Sequence, residues 1–134
     1  MNKLSAFLHP VTPEPKEVVI SQRFQDEKGS PVPFKIRPLT QEENDALIKR
    51  ARKVRTVKGV SQEYVDSTTL SRSMVLAATV EPDFTDKELC DFYGVLDPAM
   101  VPGKMLLAGE YANLLKEINA LSGFGDQVED EAKN

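Results

Sequence analysis

Apolar and polar residues alternate from Glu17 to Phe24. Val18, Ile20, Gln22 and Phe24 fall on one face by the two-residue period and Val19, Ser21 and Arg23 on the other, which predicts a strand. The cluster Asp26-Glu27-Lys28-Gly29-Ser30 predicts a turn, with Gly29 free to take a positive φ. Phe34 and Ile36 then alternate with Lys35 and Arg37 in a second strand reaching Leu39. Pro31, Pro33 and Pro38 keep it short and predict an edge position, because proline cannot donate to a ladder. The two strands form an antiparallel hairpin, which must pack on helices because a lone hairpin is barely stable.

Beyond Leu39 the period lengthens to that of helices. Thr40-Gln41-Glu42-Glu43 reads as a capping box, with Thr40 accepting from the Glu43 amide and Glu43 reaching back. The helix it starts is expected to run to about Arg55, with Leu47, Ala51 and Val54 inward and Ile48 at the margin. A loop containing Gly59 and a cap at Ser61 precede a second helix, Gln62 to Val80, with Leu70, Met74, Ala77 and Ala78 on one face. Glu81-Pro82 ends it. Thr85-Asp86-Lys87-Glu88 opens a short helix anchored by Leu89, Phe92 and Tyr93 and stopped at Gly94. Asp97-Pro98 starts another turn of helix. The strongest helical pattern spans Gly103 to Ser122, with Leu107, Tyr111, Leu114, Leu115, Ile118 and Leu121 in one stripe and Gly123 as its stop. The predicted fold is α+β and mostly helical: an N-terminal antiparallel β-hairpin packed on four to five helices.

The ends read differently. Residues 1–16 form an expected flexible arm, since Pro10, Pro13 and Pro15 bar a regular helix across them, with Leu4, Phe7 and Leu8 as a small apolar cluster ahead of the prolines. Residues 17–125 make the expected single globular domain. Residues 126–134 make an acidic tail expected to be mobile.

The 134 residues carry a net charge of −4, which argues against general polyanion binding. The exception is 49–58, where Lys49, Arg50, Arg52, Lys53, Arg55 and Lys58 bring six positive charges and no acid, leaving −10 on the rest of the chain. Placed on a helix, these cations form a solvated face opposite the Leu47 stripe. The alternatives are contact with an acidic protein surface or a nucleic-acid contact, and the absence of an interleaved aromatic residue for base stacking argues against the latter. No run approaches the length of a membrane span, and the short apolar patch at the N-terminus is too brief for a signal peptide. One cysteine, Cys90, bars an internal disulfide and fits a reducing cytoplasm.

Chemistry-bearing constellations are missing. His9 lies beside Pro10 in the arm, far from Cys90, and the pair cannot build a catalytic dyad or a zinc site. No phosphate-binding glycine loop occurs. The pairs Glu42-Glu43 and Asp83/Asp86 sit where helices begin and read as caps. The chain therefore reads as a non-enzyme with no cofactor and no metal. One feature looks outward: Met105, Ala108, Gly109 and Ala112 line the helix face opposite the leucine stripe. Glycine in a helix interior costs up to about 1 kcal/mol against alanine, so a close approach by another backbone is a reason for it. That backbone is either a neighbouring helix of the same domain or a partner. Met105, Ala108, Gly109, Ala112, Leu4, Phe7 and Leu8 are the candidate partner-binding residues.

The ordered series Ser21-Gln22-Arg23-Phe24 with Gly29, Pro82-Asp83-Phe84, Tyr93-Gly94-Val95, Ala108-Gly109-Glu110-Tyr111, Gly123-Phe124 and Glu131-Ala132-Lys133-Asn134 resembles the PBSX-type, XkdN-like tail assembly chaperones of bacteriophages and prophages. The resemblance covers about Glu17 to the end. It implies a non-enzymatic cytoplasmic protein, absent from the finished virion, that binds the tape measure protein, helps recruit tail tube subunits and is a candidate for self-association. It also implies looking for a longer frameshifted product near Ala132-Lys133-Asn134. A nucleic-acid-binding regulator using residues 49–58, or a structural virion component, are the alternatives.

Overall fold

The computed structural model describes residues 3–124. The acidic tail and the Ala132-Lys133-Asn134 segment lie outside them. The fold is α+β, as the sequence pattern predicts. In chain order it contains α1 (Lys3–Leu8), β1 (Lys16–Val18), β2 (Phe34–Ile36), α2 (Gln41–Ala51), β3 (Arg52–Val57), β4 (Val60–Val65), α3 (Ser67–Ala78), β5 (Thr79–Glu81), α4 (Lys87–Tyr93), a 3-10 turn (Pro98–Met100), α5 (Val101–Met105) and α6 (Ala108–Leu121).

The predicted N-terminal hairpin is present, with β1 antiparallel to β2 and Val18 opposite Phe34. Its regular pairing ends at Val18, and the expected alternation does not reach Phe24: Ile20 is buried and Val19 exposed, but Ser21 is buried, Gln22 is exposed and the chain turns over residues 22–24. A further expectation is overturned. β2 is the central strand, not an edge, because β5 pairs antiparallel along its other side. Pro31, Pro33 and Pro38 lie just outside the three paired residues, so none removes a ladder bond. β5 follows α3 without a loop, and the Arg37 amide donates to the Ala78 carbonyl at their junction.

The capping box of α2 is formed, with Thr40 Oγ1 accepting from the Glu43 amide and Glu43 Oε1 from the Thr40 amide. Arg37 adds a double contact to the Glu43 carboxylate, and this holds its pKa at about 2. The helix stops at Ala51, four residues early. Instead of a helix, a loop and a second helix, residues 52–65 form a β-hairpin with all six cross-strand pairs from Arg52↔Val65 to Val57↔Val60. Its two-residue turn places Lys58 at φ 51° and Gly59 at φ 78°. Positive φ at both positions is the geometry whose twist suits a tight hairpin. The expected inward Val54 is thus 64% exposed on a strand. The cap of α3 is Asp66, not Ser61, with Oδ1 accepting from the Thr68 amide.

Elsewhere the local signals and the structure agree more closely. α4 is capped by Asp86, which accepts from the Leu89 amide, while Thr85 bonds Asp83 instead of capping the helix. Gly94 ends it at φ 69°. Phe92, expected as an anchor, is 79% exposed, and Cys90 takes the buried place. The last predicted helix is divided at Leu106-Leu107 into α5 and α6. The core sits where the sheet meets α3, α5 and α6, and its tightest members include Phe84, Ile36, Leu114, Ile118, Val75 and Val101.

Candidate partner-binding surface

Three of the sequence motifs make contacts that tie the fold together. Arg23 donates to both carboxylate oxygens of Glu110 and to the Met105 carbonyl at 3.1 Å. Glu110 in turn accepts from the Leu107 amide at 2.8 Å, the half of a capping box that a leucine cap can still offer. The Arg23 guanidinium, then the Ser21 hydroxyl and the Leu107 amide, hold the Glu110 carboxyl at about 2. This contact is why α5 and α6 are separate. Arg23 takes the Met105 carbonyl, and Glu110 satisfies the amide that opens α6. Phe24 packs against Phe34, and Phe34 meets Phe84 edge-on at 6.5 Å between ring centres. These motif residues therefore hold the fold.

The groups weighed for chemistry occupy structural places. His9 is exposed and bonds the Ser5 carbonyl one helical turn back. Cys90 is buried, with its thiol donating to the Phe84 carbonyl at 3.2 Å. Among the described residues, no three His, Cys, Asp or Glu side chains are grouped to hold a metal ion. No described helix is long and apolar enough to cross a membrane.

What the surface does offer is apolar. An open groove of about 760 Å³ runs between α2, α3 and α6. Ile48 comes from α2, Leu70 and Met74 from α3, and Ala112, Leu115 and Ala120 from α6, with Phe124 at one end and Asn44, Lys116 and Asn119 supplying polar groups. This size falls in the range of ligand-binding clefts. The sequence assigned Leu70 and Met74 an inward face, but which inward face stays open depends on how three helices splay.

The candidate residues are partly brought together. Ala112 lines this groove, and Ala108 lines a neighbouring cleft with Arg72 and Tyr111. Ala108, Gly109 and Ala112 are exposed, and a Cβ built on Gly109 meets nothing within 4 Å. Among the described residues, no helix packs on that glycine. Met105 closes α5, outside α6, and packs against the core, so it does not share a helical stripe with the other three. Leu4, Phe7 and Leu8 are far from this group in sequence and lie on α1, which buries no residue. Sequence reasoning missed Ile48, Leu70, Met74 and Leu115 as binding candidates because each also reads as ordinary core, and Phe124 because it lies beyond the helix stop at Gly123.

The basic segment 49–58 is divided between the end of α2 and the hairpin. Lys53 pairs with Asp66, which is held at about 2 chiefly by that contact. Arg55 lies 4.8 Å above the Tyr64 ring on the facing strand. An aromatic group thus does interleave the cations, across the hairpin and not along the segment.

Comparison with known proteins gives a consistent result. The model of the family described as "Phage XkdN-like tail assembly chaperone protein" matches residues 4–133. The "Phage-like element PBSX protein XkdN" of Bacillus subtilis (strain 168) is 38% identical over 138 residues, covering 98% of this chain and 93% of that protein. The protein YqbN of the same strain is 38% identical over 119 residues, covering 87% of this chain and 80% of its own. A crystal structure of YqbN superposes with a TM-score of 0.77 at 33% identity, covering 93% of this chain and 99% of that one.

Proposed function

Because the chain belongs to the XkdN-like tail assembly chaperone family of phages, we propose that it binds the tape measure protein during tail assembly and helps recruit tail tube subunits. It does so without catalysis, in the host cytoplasm, and does not remain in the finished virion. The observation that carries this reading is the groove between α2, α3 and α6. A long helical client exposes apolar stripes until a tube encloses it. Three helices that leave a shared apolar groove present the seat such a stripe fits, with anchors spaced at helical intervals. The Met74 side chain on the floor adapts to different client residues. Ala108 and Gly109 continue the surface beyond the groove and permit close approach of a client backbone.

The test is co-expression with the tape measure protein. Ala112→Glu puts a charge into the groove from an exposed position, so the thermal melt is expected to stay at the parent value while recovery of soluble client falls. Full client recovery with Ala112→Glu and with Ala120→Glu would remove the groove from the mechanism. The hairpin supports a different reading, a basic ribbon for nucleic acid. Two of its cations already face Asp66 and Tyr64 within the protein, which favours the chaperone reading. Salt-dependent DNA binding lost on Arg52→Gln and Lys58→Gln would reverse that preference.

A further inference from the structure

Strands β3 and β4 form a ribbon that the core leaves open on every side. Each of their residues is exposed except the half-buried Tyr64, so neither face is covered. Val54 and Val60 are 64% and 61% exposed and bury little against the body. Both long edges are open as well, since this sheet has no other strand.

The turn fixes which backbone groups those edges present. Val57 and Val60 flank the two-residue turn and exchange the bonds that close it. Bonded and non-bonded pairs alternate from there. Arg55 and Lys53 therefore turn their amides and carbonyls towards β4, while Thr56, Val54 and Arg52 turn theirs to the free side of β3. The Arg52 amide is taken by the Lys49 carbonyl at the end of α2. The Val54 and Thr56 amides remain for an added strand. The register runs from Arg52↔Val65 to Val57↔Val60 without a bulge or a proline, so two of the usual protections of an edge are missing.

The protection that is present is charge, and it has a sign. β3 carries Arg52, Lys53 and Arg55, with Lys58 in the turn, whereas the only charged residue of β4 is Glu63. Lys53 is engaged by Asp66 and Arg55 lies over Tyr64. Arg52 and Lys58 form no ion pair among the described residues. A second β3 beside this edge would set cations against cations, which is destabilising. The same cations that keep copies apart admit a strand of opposite sign. A phosphate backbone would match the charge, but it brings no donors for the outward carbonyls.

We propose that β3 is a docking edge, to which an extended acidic segment of another protein, rich in β-branched residues, adds as a third strand. Its backbone pairs with Val54 and Thr56, and its carboxylates neutralise Arg52 and Lys58. The edge is separate from the groove between α2, α3 and α6, so this docking does not depend on the client reading above.

Nuclear magnetic resonance of the full chain, titrated with a short peptide of glutamate, threonine and valine, tests the proposal. Binding should shift the Val54 and Thr56 amides and slow their exchange with solvent. Arg52→Gln together with Lys58→Gln should keep the parent's thermal melt, because both side chains are exposed and unpaired. The same pair should weaken the peptide about five- to tenfold at low salt. Ala112→Glu, which alters the groove, should leave peptide binding unchanged. The peptide N-methylated throughout keeps its charge but loses its donors, and should not bind. The proposal is overturned if that peptide, or one with lysine in place of glutamate, binds as well as the first. It is also overturned if the changes fall on Ser61 and Glu63 of the β4 edge, or if millimolar peptide changes nothing. A DNA duplex that binds the ribbon more tightly than the peptide at physiological salt would give the edge to nucleic acid instead.

Discussion

Strands β2 and β3 are both paired antiparallel, yet they face different surroundings. Phe34 and Ile36 of β2 are 2% and 0% exposed, between β1 and β5 and against the helices. On β3, Val54 is 64% exposed and every residue is open to solvent, although β3 is twice as long. The short strands hold the core, and the long ones extend from it. Two-stranded ribbons are barely stable alone. The β3–β4 ribbon persists because α2 and α3 continue straight into it, and the Asp66 amide donates to the Ala51 carbonyl at its base. Among the strands, buried and exposed apolar residues are thus separated by sheet: β2 carries core residues, and the β3–β4 ribbon stays open to solvent.

The largest test of that separation is Phe84→Ala. Phe84 is 1% exposed and meets Phe34, so its loss should cost about 3–5 kcal/mol in a urea melt. A cost near zero would mean that the motif around Pro82 serves binding and not packing. Next comes Gly59→Ala. Its φ of 78° suits glycine, and alanine there should cost roughly 1–2 kcal/mol. The expected loss is local: faster amide exchange across β3 and β4 with α6 unchanged. Loss of protection throughout would show that the ribbon supports the core.

Acid should weaken both regions. Glu43, Asp66 and Glu110 are each held at about 2 by Arg37, Lys53 and Arg23 respectively. The unfolded chain protonates them near the ordinary carboxylate range of about 4. Between these values the unfolded state binds more protons, so stability is full above about pH 4.5 and declines as pH falls towards 2. Lys53→Met should raise the Asp66 pKa by NMR titration while leaving that of Glu110 unchanged, which separates the ribbon's base from the body. The smallest effect belongs to Val54→Ala, expected within about 0.5 kcal/mol of the parent. A cost above that would show Val54 to be packed and not free on the ribbon.

This division also explains what the sequence revealed. Thr40 and Glu43 form their capping box from four adjacent residues, and Gly94 and Gly123 stop helices by positive φ. Such local chemistry needs no tertiary context. The ribbon was legible too: Val54, Thr56, Val57, Val60 and Val65 are β-branched and flank a two-residue turn with glycine. The run of cations suited the outer face of a helix equally well, and that misled the assignment. β5 has only three residues and gains its pairing from β2, so nothing local marks it. The division between α5 and α6 depends on Arg23, more than eighty positions away. The groove is legible only once three helices are placed, because Leu70 and Met74 look the same whether the space beside them is filled or open.

The contacts between the first strands and the last helix have a consequence for synthesis. Arg23 needs Glu110, Lys16 needs Glu117, and the Leu39 amide donates to the Ser122 hydroxyl at 3.0 Å. A ribosome delivers the N-terminal partner of each pair long before the C-terminal one. These bonds therefore form only after α6 has cleared the exit tunnel, and folding completes late. Ribosome pausing near codon 105 would hold a nascent chain with an exposed sheet, the form most prone to aggregate or to be degraded. Translation speed across the last third of the message thus helps set how much folded protein the cell obtains.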